Sequence, residues 1–195
     1  NTPVVAGAAK KCQPIKGRVE VCNKTYGNNG WLGLAQIWVN SSSHITQAVA
    51  KMNDTYFNTA TYNTSAWRRL VMCQEIAHGF GLNHQDENFS NLNLGSCMDY
   101  TNDPDGPPSN EHPNQHDYDQ LETIYAHTES FTTLSAALPS PTRNGAAGAD
   151  VTEPREWGKV LRRDGKDRPS LYERDLGRGE KVFTFVLWAD AADRN

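Results

Sequence analysis

The chain of 195 residues contains no apolar run approaching the ~20 residues needed to cross a bilayer, so no membrane span is expected. It also lacks an excess of basic charge: 19 Lys and Arg stand against 23 Asp and Glu, for a formal net charge of -4. Binding to phosphate backbones leaves a basic footprint, so nucleic acid is not an expected partner. The chain does not begin with Met, and no charged n-region with an apolar h-region follows Asn1. We therefore expect an upstream signal or pro-segment to have been removed. Internal repeats are absent as well, and so is any Cys-x-x-Cys pair. The missing pair argues against a cysteine zinc site. Cys12, Cys22, Cys73 and Cys97 form an even set instead, which favours two disulfides and an extracellular location, with three pairings open.

What is present describes a polar, loop-rich globular chain. Hydrophobic residues make up 37% and charged ones 22%, and the mean hydropathy is -0.70. The length suits one domain, or one domain with a small appendage. Asn-x-Ser/Thr triplets at Asn23, Asn40, Asn53, Asn63 and Asn88 would accept glycans in a eukaryotic source.

Residues 15 to 39 read as strands. Ile15 to Val21 alternates, Asn28-Asn29-Gly30 makes a turn, and Leu32 to Val39 is an apolar stretch. Ala48, Ala50 and Met52 alternate within 45–52, which suits an edge strand, with a short helix as the alternative. Thr64 or Ser65 caps an expected helix through Trp67, Leu70, Val71, Gln74 and His78, ended by Gly79 and Gly81. The stretch 86–113, dense in Asn, Asp, Gly and Pro, is too long for an idle connection and reads as an active-site wall. Tyr118, Leu121, Ile124 and Tyr125 predict a second helix over 115–127, with Trp67, Tyr118 and Tyr125 as core aromatics. Residues 131–150, rich in Ala, Ser, Pro, Thr and Gly, read as a linker. It separates a domain at 1–130 from a small charged extension at 151–195. Within that extension Val182 to Trp188 reads as a single strand that needs a sheet to join.

The segment Gln74-Glu75-Ile76-Ala77-His78-Gly79-Phe80-Gly81-Leu82-Asn83-His84 is HExxHxxGxxH with glutamine in the first histidine's place. Residues four apart share one helix face, so Gln74 and His78 can reach one ion with Glu75 beside it. Gly81 lets the chain turn sharply and return His84 as a third ligand, leaving an open position for water. An amide oxygen donates to zinc less strongly than imidazole, so affinity is expected to fall.

With Ser96-Cys97-Met98-Asp99-Tyr100 downstream, the chain resembles the metzincin clan of zinc peptidases over roughly residues 15 to 130. The resemblance implies an α+β, zincin-like fold. This has a twisted mixed sheet, an active-site helix and a closing C-terminal helix, to which this chain adds its extension. It implies Met98 as the Met-turn beneath the metal, and Tyr100 as the tyrosine that the astacin-like and serralysin-like branches use on the transition state. It implies zinc as cofactor, a peptide or protein substrate, and hydrolysis by a metal-activated water with Glu75 as general base. It also implies a substrate laid as an added strand on the sheet's edge, for which 45–52 is the candidate and Gly33 to Val39 the fallback. Cys73 and Cys97 each precede a motif element that this fold brings together, so the analogy implies a 73–97 bridge and leaves Cys12 with Cys22. Because of Gln74, the alternative is a catalytically silent peptide- or protein-binding module.

The remaining candidates have plainer readings. His112 and His116 flank Pro113 in a polar loop and read as surface histidines. Asp86, Glu87, Asp99, Asp103 and Asp105 offer oxygens for calcium, but not at EF-hand spacing. Arginines and carboxylates balance across 153–181, which suits a solvated face.

Overall fold

The computed structural model describes Val4, Ala6 and residues 12–127 and 153–190; the linker expected at 131–150 lies outside them. These residues form an α+β arrangement with one six-stranded mixed sheet. Its strands are β1 (Val19–Lys24), β2 (Trp31–Val39), β3 (Ile45–Asn53), β4 (Lys159–Arg163), β5 (Pro169–Gly177) and β6 (Glu180–Trp188). The helices are α1 (Asp54–Phe57), α2 (Ser65–Gly79) and α3 (Gln115–Ile124). Strand order is β1-β3-β2-β6-β5-β4, with β1 parallel to β3 and every other pairing antiparallel.

The expectation that 45–52 forms an edge strand is corrected: β3 lies between β1 and β2. The fallback, Gly33 to Val39, is also interior, because β6 pairs along β2 from Trp31↔Trp188 to Val39↔Lys181. Nearly all of β2 and β3 is buried on both faces, which is why these segments read as apolar runs. The extension supplies three strands rather than one. β4, β5 and β6 form an antiparallel meander that enters the same sheet as β1–β3, so the sheet runs across the expected linker. β1 starts later than Ile15, because Gly17 takes a φ of 79° and Arg18 N–H closes a turn on Ile15 O at 3.1 Å.

Helix α2 lies across one face of the sheet. Thr64, with extended backbone, caps it by accepting from Trp67 N–H at 3.2 Å. Its end is a Schellman turn: Leu82 N–H reaches back to Ala77 O at 3.2 Å, Gly81 N–H reaches His78 O at 2.9 Å, and Gly81 holds the required positive φ of 93°. A Cβ at Gly33 would run into Val71 and the Glu75 carboxylate, so the missing side chain lets α2 sit close on β2. On the far face Trp31, Leu34, Trp157, Tyr172 and Val186 cluster; each full burial of this kind contributes about 1.5–3 kcal/mol.

Helix α3 carries a capping box between Asn114 and Asp117 and ends at Ile124, short of the expected His127. Asp117, Leu121 and Ile124 face inward. Tyr118 and Tyr125 are half exposed, which corrects their reading as core aromatics. At 100° per residue they fall on the rim of that inward stripe.

The structure pairs Cys12 with Cys22 and Cys73 with Cys97, at Cα separations of 6.0 and 5.9 Å.

Candidate metal centre

The α2 face that meets the sheet carries Gln74, Glu75 and His78, all of them buried. His84 arrives from the turn after Gly81, with its side chain 2% exposed. Its Nε2 lies 2.9 Å from His78 Nε2. Each ring is held from behind by an acceptor: His78 Nδ1 faces Leu82 O at 2.8 Å, and His84 Nδ1 faces Glu87 Oε1 at 2.5 Å. A carbonyl only accepts, so His78 carries its proton on Nδ1. Burial alone would raise the Glu87 pKa, but its bonds to His84, Ser170 and Arg162 together bring it below the usual carboxylate range. Glu87 therefore accepts as well, and His84 also carries Nδ1–H. Burial pushes both histidines down: the neighbouring His84 adds to the effect on His78, while the bond to Glu87 opposes it on His84. Two neutral rings, their planes 80° apart, thus bring their unprotonated Nε2 atoms together. Two unprotonated nitrogens at this distance repel one another, and an Nδ1–H held by carbonyl or carboxylate is how proteins orient metal-binding imidazoles.

Beside this pair stand further unpartnered buried acceptors. Gln74 donates from Nε2 to Cys97 O at 2.9 Å, which fixes the amide and leaves Oε1 without a partner. Both Glu75 oxygens are equally bare, and burial raises the Glu75 pKa well above the ordinary value. A buried, unsatisfied carboxylate is costly and calls for a reason beyond packing. Among the described residues no group of three or more His, Cys, Asp or Glu side chains is placed to hold a metal. The donor types on this side of α2 and its turn are two imidazole nitrogens and one amide oxygen, all of which occur as ligands of divalent cations.

The turn holding Met98 packs against α2 and the turn that follows it. Met98 is fully buried with Leu70, Ala77, Leu82 and Cys97. Ser96 Oγ accepts from Met98 N–H at 2.9 Å and donates to buried Asp117 at 2.5 Å, so α3 braces this turn. Tyr100 packs its ring 4.5 Å from His84 and donates to Val186 O at 3.4 Å. Burial first, then the Glu87 and Glu75 charges, push its phenol well above the usual range.

Among the other sequence candidates, Asp99 spends Oδ2 on Leu94 N–H and Asn110. His112 and His116 lie on the exposed surface.

Two contributors lie outside the motif. Glu87 orients His84; its position three residues beyond the last histidine was the available signal. Phe185 of β6 stacks on His78 with centroids 4.0 Å apart and planes 12° from parallel. Nothing local to the sequence announces that contact, since it joins residues 107 apart in numbering.

Comparison with known protein families, curated proteins and solved structures finds no match to this chain.

Proposed function

We propose that this chain is a secreted zinc-dependent endopeptidase, with Gln74, His78 and His84 as metal ligands and Glu75 as general base. The observation that carries the reading is the pair of Nε2 atoms facing at 2.9 Å, with both Nδ1 atoms already committed to acceptors. When bound, zinc supplies Lewis acidity toward a peptide carbonyl and the attacking water. Glu75 takes the proton from that water and returns it to the leaving amine. Its burial already raises its affinity for a proton, the direction that favours a general base. Tyr100 keeps its phenolic proton and is a donor for charge developing on the carbonyl oxygen. Two disulfides support an oxidising, extracellular setting. No helix among the described residues is long and apolar enough to cross a membrane.

A second reading, a catalytically silent peptide- or protein-binding module, is favoured by one contact. The Gln74 amide bonds to Cys97 O, a structural use that needs no metal. Elemental analysis with cleavage of a mixed peptide library separates the two. About one zinc per chain, retained in Glu75→Ala while cleavage falls by about 10²–10⁴-fold, supports the peptidase. No zinc and no cleavage until Gln74→His restores both would hand the chain to the second reading.

A further inference from the structure

The side chains of this centre have almost no contact with solvent: Glu75 is 1% exposed, His78 0% and Tyr100 2%. Part of what covers His78, His84 and Tyr100 comes from one stretch of the chain. Phe185 lies flat on His78 and edge-on to His84. Val186 O receives the Tyr100 hydroxyl. Arg162 and Ser170, from β4 and β5, hold the back of Glu87 at 3.2 and 2.9 Å, and Gly165 N–H bonds to Glu87 O at 2.8 Å.

The topology makes this part a unit. β4, β5 and β6 are consecutive and antiparallel, and only β6 pairs with a strand outside the meander. Without β6, β2 would be the sheet's edge and the stacked face of His78 would be bare. The seam is extensive. The inner side chain Phe185 joins Ala35, Ile37 and Ala48, while Val186 on the other face joins Trp31, Leu34 and Trp157. The closed arrangement is therefore the resting one.

We propose that residues 153–190 form an intramolecular cap, and that the β2–β6 seam must part before a peptide reaches Glu75, His78 and His84. This rests on the peptidase reading and makes the chain a latent enzyme. Opening frees the backbone N–H and C=O groups of β2, which an extended peptide then satisfies. The competing entry route is the cavity between α3 and the turn after α2, lined by Leu82, Asn83, His84, His116 and Gln120.

The test locks and unlocks the seam in the full chain. Gln36 and Thr184 face each other across it, with Nε2 to Oγ1 at 3.2 Å, on the sheet face away from α2. Gln36→Cys with Thr184→Cys places a disulfide there, and each single variant serves as its control. In the opposite direction, a protease-cleavage sequence inserted within 131–150 lets the native sequence be nicked. Accessibility is read on metal-free protein as the rate of histidine acylation by diethyl pyrocarbonate, mapped to His78 and His84, with peptide cleavage measured on zinc-loaded samples. The cap requires acylation of His78 and His84 to slow by about tenfold or more in the locked chain and to quicken in the nicked one. Cleavage must move in the same sense. Equal acylation in locked, single-cysteine and nicked proteins would overturn the cap and assign entry to the α3 cavity. If the locked variant does not fold, the nicked protein still decides: no gain in acylation overturns the cap. Exposed histidines without zinc uptake or cleavage would leave the cap standing and remove the peptidase reading.

Discussion

Helix α2 with its following turns and the β4–β6 meander treat their polar groups in opposite ways. On α2 the Gln74 Oε1 and both Glu75 oxygens have no partner, and the unprotonated Nε2 atoms of two imidazoles meet at 2.9 Å. In the meander the charges are largely matched. Asp164 accepts from Arg168 Nε at 2.7 Å and from the backbone N–H groups of Lys166 and Arg168. Lys181 pairs with Glu173 at 2.9 Å and Lys166 with Asp190 at 2.7 Å, while one Arg168 nitrogen is left over. The contrast teaches where the molecule tolerates instability. Polar groups whose role is packing are satisfied, whereas unsatisfied acceptors gathered at one spot mark a place shaped for something else.

Making the same chemical change in both regions tests the contrast most directly. Asp164→Asn removes the charge that Arg168 is built around and should cost about 3 kcal/mol in urea unfolding. Glu75→Gln should act with the opposite sign. Removing a buried unpartnered carboxylate should stabilise the metal-free chain at neutral pH by about 1–3 kcal/mol, seen as a rise of about 2–4 °C in melting temperature per kcal/mol. A lower melting temperature for Glu75→Gln would break the comparison and make Glu75 an ordinary structural residue.

Smaller effects sharpen it. Thr64→Ala removes the α2 cap bond to Trp67 N–H and should cost about 0.5–2 kcal/mol. Because α2 frames the centre, the proposed peptidase function further requires this variant to weaken zinc binding, measured by competition with a chelator. Lys181→Ala breaks a partly exposed pair and should change stability by only about 0.2–1 kcal/mol, less at high salt. A loss at Lys181 as large as that at Asp164 would mean that the meander's charges act as a network.

Several elements were legible because their signals are local. Thr64, the 3.6-residue spacing and Gly81 define α2 within one stretch of chain, and the same stretch aligns Gln74, Glu75, His78 and His84. Asn28-Asn29-Gly30 marked the start of β2. The meander was harder to read. The charges in Lys159–Arg163 and Pro169–Gly177 resemble a solvated face, and these residues become strands because β6 offers them an edge to pair with. β3 alternates like an edge strand, yet β1 pairs with it through a register between segments far apart in sequence.

The sequence by itself determined the local chemistry: which helix forms, where it stops, and which donors share a face, since these depend on residues a few positions apart. Only the tertiary structure decided that Gln74 binds Cys97 O, that Glu87 orients His84, and that Phe185 seals His78. Each joins a side chain to a partner whose nearness is created by packing, either by the bracing of the Met98 turn on α2 or by the pairing of β6 on β2.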